Sequence, residues 1–272
     1  MIQVINPLKR KKTMKKYIFM AVAGMLALSS CSNDDNDVQN TQNAPQQMTF
    51  TAGFGDGATT RASLSGYSVT FDANDNISIF SANNSNVQFT TTAGGASATF
   101  SGTATAGDPT YYAVYPYNNS YTFSAGVVSG VEIPTSQFGA AGGGWQPDAP
   151  IAYATTTGTN LQFHNACALL KINNDRGNAM NIEVGCDEAL TGTFSLDTSS
   201  GALLSGTNTK IFAMVGSVSS GKTIYIAIAP GEKNNFRAVW DGMDGRVEKR
   251  KYSAVTFEAG KIYDLGNTSA WE

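Results

Sequence analysis

The residues best suited to covalent chemistry lie near the start of the chain, at Leu28-Ser29-Ser30-Cys31: an aliphatic side chain, two small ones and a thiol. The thiol is the nucleophile of the set, and the small residues before it fit a narrow signal-peptidase site. This spacing resembles a bacterial lipobox, in which Cys31 takes a diacylglycerol and becomes the mature N-terminus. What precedes it agrees. Lys9 to Lys16 is strongly basic and is followed by YIFMAVAGMLAL, an apolar run well short of the about 20 residues that span a bilayer, so residues 1–30 read as a secretory signal. Met14, followed by Lys15 and Lys16, reads as a more natural start than Met1. Each buried CH₂ of an attached lipid contributes about 0.8 kcal/mol to membrane binding, which makes Cys31 an outer-membrane anchor. Residues 31–47 follow as a lipidated flexible tether, SNDDNDVQNTQNAPQQ having no apolar periodicity.

Converging catalytic groups are scarce. His164 is the single histidine, at the end of the alternating run LQFH, where a strand-end role outweighs catalysis. No HExxH, Cys/His zinc spacing, Walker loop or G-x-S-x-G occurs, so no metal and no cofactor is expected and the chain does not read as an enzyme. Asp72-Ala73-Asn74-Asp75-Asn76 offers oxygen ligands but lacks the glycine and distal Glu of an EF-hand loop, and reads as a turn. Asp241-Gly242-Met243-Asp244-Gly245 reads as a hairpin loop. Cys167 and Cys186 either pair in an oxidising compartment or lie as buried thiols on neighbouring strands. Trp145, in a glycine-rich loop, and Trp271, near the C-terminus, are placed where exposed rings could stack on a glycan, with ordinary packing as the alternative; Trp240 lies in a strand and reads as core.

The elements that must position these groups are strands. Among 272 residues, 28 are glycine and only 14% are charged, a composition that suits short strands and turns better than helices with Glu- and Lys-covered faces. From Met48 onward, alternating runs recur between turn signals: MTFTAGF, YSVTF, NISIF, VQFTTT, SATFSG, YYAVYPY, VVSGVEIP, APIAYA and LQFHN. A second series follows: ACALLKIN, MNIEVG, LTGTFSL, TKIFAMV, TIYIAIAP, NFRAVW, VEKRKYSAVTF and KIYDLG. Period-2 runs at this spacing predict an all-β protein of sandwich type. The first run puts Met48, Phe50, Ala52 and Phe54 on one face. Charge divides the chain: residues 32–170 carry a net −8 and 171–272 a net −1, which places a boundary between an N-terminal domain, 48–165, and a C-terminal domain, 166–272. Loss of the signal leaves 12 basic against 21 acidic residues, a balance that excludes nucleic acid as a partner.

One basic residue stands apart. Arg61 is the only Lys or Arg between Cys31 and Lys171, in the small-residue stretch GDGATTRASLSG, where a protease could reach it. Lys249-Arg250-Lys251 is a competing target, but it lies within an alternating run and reads as strand.

Several segments together resemble the fimbrillin family, the pilin-like lipoproteins of type V pili and their accessory subunits. The matching pieces are the lipobox with its acidic tail, MTFTAGF followed by TTRASLSG, SVTFDANDNISIF, ATFSG to YYAVYPY, and APIAYATTTGTNLQFHNACALLKI. The likeness covers Met48 to about Asn173 well and extends loosely through GKIYDLG. It implies two tandem β-sandwich domains of transthyretin-like type, on a lipoprotein exported to the outer-membrane surface and the fimbrium. It also implies an arginine-directed protease, which here would cut between Arg61 and Ala62 and free the strand Met48–Phe54. Other pilus subunits would then fill the vacated groove by strand exchange, serving cell adhesion. The chain departs from stalk subunits in stopping at NTSAWE soon after KIYDLG, which sets a tip or accessory role, and a lipid-retaining anchor, beside a stalk. A carbohydrate-binding surface lipoprotein, with a host or microbial glycan on Trp145 and Trp271, is the alternative.

Overall fold

The computed structural model describes residues 44–55, 70–146, 148–243, 245–251 and 253–272. Cys31, Arg61 and Ala62 lie outside the described residues.

The described residues are all β, with no α-helix among them and two short 3-10 turns, Phe138–Gly142 and Thr268–Ala270. The first ten strands are β1 (Pro45–Phe54), β2 (Asn76–Phe80), β3 (Val87–Thr91), β4 (Ser97–Thr105), β5 (Tyr111–Tyr115), β6 (Thr122–Ser124), β7 (Val127–Ile133), β8 (Gly144–Trp145), β9 (Ala152–Thr156) and β10 (Asn160–Asn165). The rest are β11 (Ala168–Asn174), β12 (Ala179–Gly185), β13 (Thr191–Asp197), β14 (Leu203–Lys210), β15 (Phe212–Val218), β16 (Lys222–Ile228), β17 (Gly231–Lys233), β18 (Phe236–Gly242), β19 (Gly245–Lys251), β20 (Val255–Phe257) and β21 (Ile262–Asn267).

Seven strands of the first half close into a barrel in the order β1-β10-β9-β5-β2-β3-β4, with β4 returning to pair with β1. Their alternation decides what fills it. Phe50 and Ala52, Ile77 and Ile79, Ala98 and Phe100, Tyr111 and Ala113, Leu161 and Phe163 all point inward to one core, as period-2 side-chain geometry requires. Closure also removes the exposed sheet edges that an open sheet of this size would carry.

The second half forms a sandwich of two four-stranded sheets, β21-β11-β16-β8 and β15-β12-β18-β19, in which the two-residue β8 is contributed by the first half. Alternate residues of both sheets, among them Leu170, Ile172, Ile182, Val184, Val215, Ile226 and Trp240, meet in a second core. Lys171 Nζ, on the outer side, bonds Asp264 Oδ2 at 2.7 Å and ties β11 to its parallel neighbour β21.

A third sheet, β14-β13-β7-β6, joins the halves, because β7 pairs with β13 from Val127↔Asp197 to Ile133↔Gly192. Phe80, Val114, Val128, Ile151 and Ala149 of the first half share a third core with Cys167, Leu196, Ala227 and Ala229 of the second. Phe80 and Val114 belong to barrel strands, so β2 and β5 are buried on both faces. Gln137 reinforces the join: fully buried, it donates through Nε2 to the Ala227 carbonyl at 2.8 Å and accepts from the Ala227 N–H at 2.9 Å.

Several sequence runs are cut differently from expectation. Of YSVTF only Thr70 and Phe71 are described, and Phe71 makes an isolated bridge to Gly95. TKIFAMV is split at Ile211, and VEKRKYSAVTF is divided between β19 and β20. The glycine-rich loop AAGGGW holds a 3-10 turn and the two-residue β8. Three strands, β6, β14 and β17, carry weak alternation and are found only in three dimensions.

Candidate functional site

The one segment whose setting suggests a function is β1. It is an interior stave of the barrel, antiparallel to β4 over nine register pairs from Pro45↔Thr105 to Gly53↔Ser97, and parallel to β10 over four, from Thr51↔Asn160 to Phe54↔Phe163. Thr51 N–H donates to the Thr159 carbonyl and Gly55 N–H to the Phe163 carbonyl, both at 2.9 Å. Each buried peptide group held this way would need a new partner if β1 left.

The inward side chains differ in size along the strand. Met48 is half-buried opposite Gly102. Phe50 is fully buried and meets the rings of Phe89 and Tyr111 edge-on, each at 5.3 Å between centroids. Ala52 is fully buried between Ala98 of β4 and Leu161 of β10. Phe54 stacks on Phe71 at 5.0 Å and lies 6.0 Å from Phe163. The outward side chains Thr49 and Thr51 are exposed. The expected grouping of Met48, Phe50, Ala52 and Phe54 on one face is therefore what the structure presents.

The aromatic lining contains residues that sequence reading did not connect with β1. Phe71, bridged to Gly95, brings its ring into the core, 5.1 Å from Phe100 and 5.7 Å from Tyr115. Gly102 is a glycine inside a strand, a recognised sign of close approach. A Cβ there would stand 2.8 Å from the Phe89 ring and from the Gln88 carbonyl oxygen.

The other candidates disperse. His164 is exposed on the outer side of β10, 5.8 Å from the Tyr153 ring. It lies beside the point where β1 leaves the barrel, since a side chain on Gly55 would meet its ring at 3.2 Å. Asp72 to Asn76 forms a turn, with Asn74 at φ 74° and Asp72 N–H donating to Asp75 Oδ2 at 2.8 Å. Asp241 and Gly242 end β18 and Gly245 begins β19, with Gly242 opposite Gly245; Asp244 lies outside the described residues. Among the described residues no group of three or more His, Cys, Asp or Glu is placed to hold a metal ion.

Cys167 and Cys186 are both buried and unpaired with each other. Cys167 precedes β11 and Cys186 follows β12, which belong to different sheets, so the thiols are not on neighbouring strands. Burial pushes the Cys167 thiol up to about 12, against the opposing effect of a backbone hydrogen bond from Ile151. Burial likewise raises Cys186 to about 11. Thiols held protonated in this way make poor nucleophiles.

The expected aromatic exposure is corrected at Trp271, which is only 3% exposed and packs into the second core, its Nε1 donating to the Leu265 carbonyl at 3.3 Å. Trp145 is half-buried in β8, its ring edge-on to the buried Tyr225 at 6.2 Å. Trp240 is core, its Nε1 bonded to Asn174 Oδ1 at 2.9 Å. Lys249, Arg250 and Lys251 lie in β19, paired to β18 throughout.

No protein-family model and no curated protein matches the sequence. Among solved structures, the chain is similar to a "putative cell adhesion protein" from Bacteroides uniformis, with a TM-score of 0.55 at 15% identity over 83% of this chain and 94% of that one. The two share a fold. A "putative cell adhesion protein" from Bacteroides ovatus gives 0.47 at 16% identity over 74% of this chain and 85% of that one. A fimbrial protein from Bacteroides ovatus gives 0.40 at 13% identity, over 84% of this chain and 49% of that one. The last two superpose too loosely, below a TM-score of 0.5, to fix even the fold, and at 15% identity the first fixes architecture alone.

Proposed function

We propose that this chain is a surface-exposed, non-enzymatic lipoprotein of the fimbrillin type, a structural or tip subunit of a pilus. It has two tandem domains of transthyretin-like β structure, 48–165 and 166–272, serves cell adhesion and assembles with other subunits by protease-triggered strand exchange. The observation that carries this reading is the place of β1: an interior stave followed directly by the segment that holds Arg61. Of the described strands, only β1 precedes a cut between Arg61 and Ala62; β2 to β21 all follow it.

Loss of β1 would expose the β4 and β10 ladders together with the trough around Phe50 and Ala52. Both are costly to hydrate. Each large side chain reburied by an incoming strand contributes about 1.5 to 3 kcal/mol, and the backbone ladder adds orientation. A strand from another subunit satisfies both demands at once. The lipid on Cys31 would hold the uncut chain at the outer membrane, and the cut would release it for assembly. The shared fold with a Bacteroides protein described as a "putative cell adhesion protein" supports this reading.

Mass spectrometry of the protein recovered from the cell surface is the test. The expected mature chain begins at Ala62, and an Arg61→Ala variant is expected to stay whole and to fail to assemble. A chain recovered intact from Cys31, with no larger complex containing other surface subunits, overturns the proposal.

A further inference from the structure

The inward positions of β1 do not offer equal space, and their order restricts what can replace it. The place of Phe50 is a wide aromatic slot walled by Phe89, Tyr111 and, across the ladder, Phe100. The place of Ala52 is closed from both sides by Ala98 and Leu161, all of them buried. The place of Phe54 is again aromatic, between Phe71 and Phe163. Larger side chains at a close-packed position force neighbours off their rotamers, while a smaller one in either slot leaves a cavity.

We infer that the groove is size-coded: it accepts an extended strand reading aromatic-x-small-x-aromatic, antiparallel to β4 and parallel to β10, supplied by a different polypeptide. This rests on the strand-exchange reading and names its partner. The same pattern occurs twice more in this chain, at Tyr111-Tyr112-Ala113-Val114-Tyr115 and at Phe236-Arg237-Ala238-Val239-Trp240. The first is β5, held between β9 and β2, and the second is β18, held between β12 and β19. Tyr111 and Ala113 face the barrel core, while Phe236, Ala238 and Trp240 face the second core. A second folded copy therefore has neither segment to give, apart from its own β1.

The test uses the mature chain cut after Arg61 and three labelled synthetic peptides: PQQMTFTAGF, the same peptide with Ala52→Leu, and the same with Phe50→Ala. Retention on gel filtration and a thermal-shift titration report binding. The native peptide is expected to bind and to raise the melting temperature, the Ala52→Leu and Phe50→Ala peptides to bind about tenfold more weakly or worse, and the cut protein alone to stay monomeric. Equal binding of all three peptides overturns the size code and leaves strand exchange standing. No binding by any peptide overturns strand exchange itself. Assembly of the cut protein without peptide makes a second copy the donor and overturns the assignment to another polypeptide. In the uncut chain, Ala52→Leu is expected to lower the melting temperature by several degrees, and an unchanged value also sinks the size code.

Discussion

Single residues differ here chiefly in how much solvent they have lost. Cys167 combines full burial with a titratable group, and its sign can be worked through. Its folded-state value, about 12, lies above the ordinary thiol value of 9.0, so between those limits the folded state holds a proton that the unfolded state has released. Its contribution to stability is complete below about pH 9 and is lost as pH rises toward about pH 12. Cys186, at about 11, acts in the same direction. Lys233 opposes them: burial lowers its value, its Nζ bonding the carbonyls of Ala189 and Pro230 at 3.0 and 3.2 Å, so it favours folding as pH rises toward 10.5. Melting temperatures followed from neutral to strongly alkaline pH should therefore fall for the native chain, and fall less steeply for Cys167→Ala. Equal slopes for the two proteins would show that the thiol is not the titrating group. Neither cysteine should react with a thiol reagent at neutral pH until the fold is lost.

Elements, unlike residues, are judged by their neighbours, and β1 has one on each side. Its two faces should respond to truncation very differently. Phe50→Ala removes a ring from the centre of the barrel core and should cost about 3–5 kcal/mol in denaturant unfolding. Thr49→Ala, one residue away on the exposed face, should change stability by no more than about 0.5 kcal/mol. Comparable losses at both would mean that β1 is not seated by its inward face. The alternation that makes this contrast was readable in MTFTAGF before any coordinates, because strand side chains repeat every two residues whatever the partner. The partners themselves were not readable. That β1 runs antiparallel to β4 and parallel to β10 depends on pairings 44 and more residues apart in sequence, which local pattern does not encode. Nor were the contacts of Phe71 readable: its ring meets Phe54, Phe100 and Tyr115, and its backbone bridges Gly95. Trp271 misled because proximity to the chain end says little about burial; here a 3-10 turn folds it back beneath Leu265.

At the scale of the whole molecule, the charge step near residue 170 marks a change of surface, while the interior continues across it. Barrel and sandwich each have a private core, but the third core draws on both, and β7 of the first half completes a sheet begun by β13 and β14 of the second. Gln137 adds a two-way amide contact from the first half to Ala227 in β16. Cutting between residues 165 and 166 would strip β13 of one of its two neighbours and leave Leu196, Ala227 and Cys167 facing water. Exposed strand edges and apolar surface of that kind drive aggregation. Residues 166–272 made alone should therefore be insoluble or molten, with little protection of β13 amides from hydrogen exchange, whereas the full chain should unfold in a single transition when followed by tryptophan fluorescence and by circular dichroism. Two separated transitions, or a well-folded 166–272 fragment, would show that the shared core contributes little. A single transition would give the assembly model a further property: a strand bound in the groove of the barrel would stabilise the sandwich as well, because no boundary between them is free to open first.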